Sequence, residues 1–219
     1  MGVLELAGRD AAEAADLARD CASRGVDALV VVGGDGIVHL GLQVVAGTQL
    51  PLGIIPAGTG NDIARAIGLP RGDPAEAAQV VARGVVRRID LGRSDGAWFG
   101  GVAAAGFDAR VNDRANRMTW PRGRTRYNLA LLLELGLFRP VRYEMCLDGV
   151  TLDMEAMLVA VANGPCYGAG MQVAPQASVD DGLLDVLIVH RISKAELIRV
   201  FPRVYRGTHV GHPAVEIRR

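Results

Sequence analysis

Apolar and polar positions in the first part of the chain follow a strand, turn, helix rhythm that occurs twice. Residues 28–32 are an apolar run, Gly33-Gly34-Asp35-Gly36 follows at once, and residues 37–45 are again mostly apolar. That order predicts a buried strand, a glycine turn and a helix. Residues 51–56 repeat the strand, Ala57-Gly58-Thr59-Gly60-Asn61-Asp62 repeats the turn, and residues 63–68 begin a second helix. Ahead of both, residues 10–24 form an alanine-rich helix with Ala11, Ala14, Ala15, Ala18 and Cys21 on one face, ended by Gly25. A doubly wound sheet usually opens on a strand, so residues 1–7 are either its remnant or that strand is missing. Asp73-Pro74 is a cap and first-turn pair for a helix through Arg83, and Gly84 closes this half.

Beyond Val85 the texture changes to extended runs, which places a domain boundary between 1–86 and 87–219. Strands are expected at 86–91 and 97–105, and Gly106-Phe107-Asp108-Ala109 leads into a helix rich in Arg and Asn. Residues 126–138 are an apolar helical segment. Residues 142–147 and 150–162 flank Asp148-Gly149, which favours the tight turn of a two-residue hairpin. A strand at 182–190, a helix at 194–206 capped by Ser193 and a strand beginning at 214 complete the reading.

At 219 residues and 50% apolar, the chain can bury one or two cores. Lys and Arg number 24 and Asp and Glu also 24, so the net charge is zero and no global field argues for nucleic acid. Cys21, Cys146 and Cys166 are too far apart for a C-x-x-C pair and are expected to be reduced thiols in a cytoplasmic protein. No basic leader precedes an apolar core, and no apolar run approaches the roughly 18 residues of a membrane span, so the expectation is a soluble protein. His39, His190, His209 and His212 show no metal-binding spacing.

The chemistry of the two turns points to phosphate. Backbone N–H groups at a helix start point outward, and glycines let an anion approach the main chain. Either turn alone also fits an ordinary tight turn. Two copies side by side would cradle one nucleotide.

Gly33-Gly34-Asp35-Gly36, residues 56–62, Gly106-Phe107-Asp108-Ala109 and the stretch from Asn163-Gly164 through Gly168-Ala169-Gly170-Met171 and Pro175 to Asp180-Asp181-Gly182-Leu183-Leu184-Asp185 resemble the diacylglycerol kinase and sphingosine kinase family, in particular its bacterial lipid kinases. The likeness runs over nearly the whole chain. It implies an α/β fold, a Rossmann-like nucleotide-binding domain of NAD kinase/diacylglycerol kinase type followed by a β-rich sandwich-like domain, with ATP and the lipid meeting in a cleft. It further implies that Gly33, Gly34, Asp35, Gly36 and Ile37 contact the ATP phosphates and that Gly58, Thr59, Gly60 and Asn61 close the other side. Asp35 is marked as catalytic, holding Mg2+ or accepting the substrate hydroxyl proton; a turn aspartate bonding its own backbone is the alternative. Asn61 and Asp62 also suit helix caps. Asp108 lines the acceptor pocket by the same resemblance, or starts a helix. Asp181 with the carbonyls of Ser178 and Leu183 would form a structural Mg2+ site, an oxygen set that a hard cation prefers; a plain turn is the other reading.

Some positions depart from the family pattern. Ile37 stands where threonine is common, and His39 and Leu40 where Asn-Glu often follows. An opening strand with an Asn-Pro signature and a C-terminal Asp-Gly-Glu segment are absent, so the chain is expected to be truncated at both ends. Arg110, Arg114, Arg117, Trp120, Arg122, Arg124 and Arg126 mix basic residues with an aromatic anchor. That composition suits peripheral contact with an anionic membrane at the inner face, or a solvated helix face. The expected activity is an ATP-dependent lipid kinase acting on a diacylglycerol-like hydroxyl, with ATP, Mg2+ and a lipid acceptor as ligands and a homodimer as a further expectation. The alternatives are a catalytically silent nucleotide- or lipid-binding remnant, and an NAD kinase, against which the Gly-Thr-Gly-Asn-Asp segment argues.

Overall fold

The computed structural model describes residues 2–104, 111, 114, 115, 117–121, 125, 126, 129, 130, 133, 134, 139–168 and 170–219. Backbone contacts divide the chain into two compact units, Met1–Gly101 with Ser178–Gly182, and Val102–Ala177 with Leu183–Arg219. The change of texture after Gly84 marks where the strand and helix alternation stops. The structural division falls later, because the hairpin that follows packs on the first unit.

The first unit opens on α1 (Ala11–Ser23), whose start is fixed by the Asp10 side chain accepting from the Glu13 N–H. Next come β1 (Leu29–Gly33), α2 (Asp35–Val45) and β2 (Leu52–Pro56), the two strands running parallel in a register that pairs Leu29 with Leu52 and Gly33 with Pro56. Both glycine turns therefore leave adjacent strands at the same end. Val31, Val38, Leu42, Ile54, Ile63 and Ala64 form the core beneath them. Helices α3 (Asp62–Ala66) and α4 (Pro74–Ala82) follow, the second capped by Asp73 accepting from the Ala75 N–H.

The expected strand at 86–91 is not a strand; Val85 and Val86 are exposed, and pairing begins only at β3 (Gly92–Ser94), which turns through Asp95 and Gly96 into β4 (Ala97–Phe99). Both turn residues have positive φ, the geometry of a tight hairpin. The Gln43 side chain bonds the Trp98 N–H and carbonyl, which fastens the hairpin to α2. Gly100-Gly101 then interrupts what reads as one strand at 97–105, leaving β5 (Val102–Ala104) in the second unit.

The second unit is built on a five-stranded antiparallel sheet. β5 and β6 (Val141–Leu147) both pair with the long β7 (Val150–Ala162), which pairs in turn with β8 (Asp185–His190) and that with β9 (Val215–Arg218). Asp148 and Gly149 make the hairpin turn with positive φ at both, as the dipeptide predicts. The alternation on β8 buries apolar residues on both faces: Leu187 joins a cluster with Met157, Ala160, Leu197 and Val204, while Val186 and Ile188 join Ala156 and Val159. The helix expected at 194–206 is α5 (Lys194–Val200) continued as a 3-10 turn, Phe201–Arg206. Pro202 lacks the N–H that an α-helix would use there.

Candidate functional site

The two glycine turns meet. A Cβ on Gly58 would sit 2.4 Å from the Gly34 Cα, so the two main chains touch and no side chain larger than hydrogen fits between them. Gly33, at φ 156°, turns the chain from β1 towards α2, and a Cβ there would strike Ile37. The register of β1 and β2 continues past the strand ends, where the Ala57 N–H donates to the Gly33 carbonyl at 2.9 Å.

Asp35 is the first residue of α2, and its Oδ1 accepts from the Asp62 N–H at 2.7 Å and the Ile63 N–H at 3.3 Å. The carboxylate of the first turn thus caps the helix that begins at the second. This differs from a turn aspartate bonding its own backbone, because both donors lie 27 and 28 residues away. Its Oδ2 accepts no hydrogen bond among the described residues.

Asn61 takes the left-handed conformation, φ 52° and ψ 44°, at the start of α3. Its Oδ1 accepts from the Gly58 N–H at 3.0 Å and its Nδ2 donates to the Gly58 carbonyl at 2.7 Å. The carboxamide therefore closes the loop over Thr59 and Gly60. Asn61 occupies the position of a cap without capping by its side chain, which leaves that work to Asp35. Asp62 is buried, with Oδ1 3.7 Å from the Arg65 Nε.

Donors face outward from this arrangement. Among the described residues the N–H groups of Asp35, Gly36, Thr59 and Gly60 have no partner, while those of Ile37 and Val38 reach the Gly34 carbonyl. Gly36, Gly58 and Thr59 are exposed. Unpaired N–H groups at the start of α2, reinforced by its dipole, are a donor set of the kind that suits an anion. The residues present thus fit a polyphosphate.

Residues 178–182 are tied to the first unit. The Arg87 guanidinium meets Asp180 Oδ2 at 2.6 Å, the Ser178 hydroxyl donates to Asp180 Oδ1 at 2.7 Å, and Asp90 Oδ2 accepts from the Gly182 N–H. Ser178 first, then Arg87, holds the Asp180 carboxyl below the usual carboxylate range. Asp181 and Leu183 are exposed, and Leu183 is already part of the second unit. No group of three or more His, Cys, Asp or Glu gathers among the described residues. Asp108 lies outside the described residues, as do Arg110, Arg122 and Arg124; Trp120 is 77% exposed.

Sequence reasoning missed three features here: the span from Asp35 to α3, the loop closure by Asn61, and the tie of Asp180 to Arg87 and Ser178. For Asn61 a signal existed, since Asn tolerates the left-handed region better than other side chains.

Two family descriptions match, diacylglycerol kinase catalytic domain over residues 3–94 and YegS C-terminal NAD kinase beta sandwich-like domain over residues 101–219. A diacylglycerol kinase of Mycobacterium tuberculosis is 47% identical over 214 residues, 95% of this chain and 69% of that protein. A diacylglycerol kinase of Bacillus subtilis is 34% identical over 206 residues, 91% of this chain and 67% of that one. The crystal structure of a diacylglycerol kinase from Bacillus anthracis str. Sterne matches the fold with a TM-score of 0.70 at 23% identity, over 97% of this chain and 70% of that chain. With both halves matched and the glycine turns in contact, the chain belongs to the diacylglycerol kinase and YegS-like family of lipid kinases.

Proposed function

We propose that this chain transfers the γ-phosphate of ATP to the hydroxyl of a diacylglycerol-like lipid. The observation that carries the reading is the contact of Gly34 with Gly58, which brings two sets of outward N–H donors to one place. Phosphoryl transfer asks for positioning and charge neutralisation more than for covalent chemistry. Gly33, Gly34, Gly36 and Ile37 on one side, and Gly58, Thr59 and Gly60 on the other, would hold the phosphates through the main chain. Asn61 would shape that loop. Asp35, fixed through Oδ1 by the start of α3, would present Oδ2 to the substrate hydroxyl proton or to Mg2+.

Mg2+, when bound, would neutralise charge that develops on the phosphates. Ser178, Asp181 and Leu183 are proposed for a separate structural cation, and Asp108 for the acceptor pocket. The exposed Trp120 and Arg117 would rest on an anionic membrane surface, in keeping with a cytoplasmic protein that works at the inner face.

The test is transfer of label from [γ-32P]ATP in the presence of Mg2+ to a panel of lipids in mixed micelles, dioleoylglycerol first. Label in the organic extract that depends on lipid supports the kinase reading. ATP binding without lipid-dependent ADP release would instead favour a silent nucleotide-binding protein, and label on NAD would favour an NAD kinase.

A further inference from the structure

The first unit contains no lysine, so a cationic side chain that its glycine turns draw from this unit is an arginine or a histidine. Main-chain N–H groups carry only partial charge, whereas a triphosphate brings several full ones, and phosphoryl-transfer sites answer with a cation at the transferring group. Several arginines of the unit are already engaged or stand in solvent. Arg9, Arg19, Arg24 and Arg87 each meet a carboxylate, and Arg71 and Arg83 are exposed.

Arg65 differs. It lies on α3 three residues after Asp62, and helical side chains slope towards the N-terminus of their helix. Its Nε comes within 3.7 Å of Asp62 Oδ1, so the side chain runs back to the first turn of α3. At that turn the Asp62 N–H is held by Asp35 Oδ1 at 2.7 Å. The approach of Arg65 to Asp62 is one of charge, because 3.7 Å is too long for a hydrogen bond. The Arg65 Nε is buried without a hydrogen-bond partner, while 33% of the side chain remains exposed. A guanidinium offers five donors in a planar fork, and buried donors are rarely left unmet. A cation with unused donors thus stands at the turn that fixes Asp35.

We propose that Arg65 binds the terminal phosphoryl group of the nucleotide, with Asp62 as the tether that aims it. This rests on the nucleotide reading given above. The terminal group is singled out over the inner ones by Asp35: the carboxylate that would face the substrate hydroxyl is fixed by the same first turn of α3 that Arg65 reaches. A guanidinium can meet two phosphate oxygens at once, which the point charge of a lysine does not. Arg65 is then a binding residue of the transfer reaction rather than a neutraliser of Asp62 alone.

The experiment is calorimetric titration of the purified protein with the β,γ-imido analogue of ATP and with ADP, both in the presence of Mg2+. Arg65→Gln should weaken binding of the analogue by about 10- to 100-fold, the range that loss of a charged hydrogen bond spans, and binding of ADP by less than about twofold. Arg65→Lys keeps a positive charge near Asp62 and should fall between the parent and Arg65→Gln. Equal losses for the two ligands would make Arg65 a prop for Asp62 and overturn the proposal, as would no loss for either. The unaltered protein supplies a second readout that needs no variant to be stable. With 15N-labelled arginine, the Arg65 Nε resonance should take a different position in the analogue complex from that in the ADP complex, and the same position in both overturns the proposal. A parent that binds neither ligand sinks the nucleotide reading itself, a result distinct from a parent that binds the analogue without involving Arg65.

Discussion

The two glycine turns of the first unit share one plan and are held in different ways. The second closes on itself, its Asn61 carboxamide bonding both main-chain groups of Gly58. The first reaches outward, its Asp35 carboxylate capping the helix that the second turn begins. One loop is thus shaped locally, while the helix after it depends on a side chain about one strand, turn, helix unit earlier. The difference teaches that the cradle is a coupled object: substitutions in the two turns share partners, and their effects should not add.

Asp35→Asn separates capping from chemistry most sharply. Asparagine caps about as well as aspartate, so the melting temperature should stay close to that of the parent, whereas lipid phosphorylation should fall by about 10^2 to 10^4 if the carboxylate handles the hydroxyl proton. Unchanged turnover would leave Asp35 a clasp only. The control Asp35→Ala removes the cap as well and should cost about 0.5–2 kcal/mol in denaturant unfolding.

Gly58→Ala attacks the contact between the turns. Its Cβ would meet the Gly34 Cα at 2.4 Å, backbone against side chain with no rotamer to relieve it. The loops must part, at a cost of about 1–3 kcal/mol typical of overpacking, and calorimetry should show ATP affinity lowered more than about tenfold, the factor that 1.4 kcal/mol represents. Parent-like ATP affinity would mean that the two turns need not touch to bind phosphate.

Asn61 asks whether the second turn is a ligand or a shape. Asn61→Ala loses both bonds to Gly58 and strains the left-handed backbone, together worth about 1–3 kcal/mol. Asn61→Gly loses the bonds but relieves the strain. If the side chain only shapes the loop, KM for ATP should rise in both variants, less in the glycine one, with kcat held. Equal losses in the two would favour direct contact between the carboxamide and ATP.

What the sequence disclosed follows from how local each cause is. Gly33-Gly34-Asp35-Gly36 and Gly58-Thr59-Gly60 sit where apolar runs end, and a glycine turn after a buried strand is decided within a few residues; Asp148-Gly149 gave its hairpin away for the same reason. The strand expected at 86–91 fails because alternation cannot tell an extended segment from a paired one, and pairing depends on a distant neighbour. Asp35 capping α3 and Arg87 meeting Asp180 are contacts across 27 and 93 residues, invisible to any window.

The smallest effect is expected at Ile37, where the first turn lacks the threonine common in the family it resembles. Thr is also β-branched, so Ile37→Thr keeps the stiff χ1 beside Gly33, where a Cβ on the glycine would already lie 2.6 Å from the Ile37 Cγ2. The ring of outward N–H donors is untouched by the change. A hydroxyl in place of a methyl adds one hydrogen bond to phosphate or metal, about 0.5–1.5 kcal/mol, against a comparable loss of apolar packing on a half-buried side chain. KM for ATP should therefore fall by a few-fold while the melting temperature drops slightly, measured in the same lipid assay and by calorimetry. If ATP affinity does not move, the main chain alone sets it, and the first turn, like the second, binds by the shape of its backbone rather than by the side chains it carries.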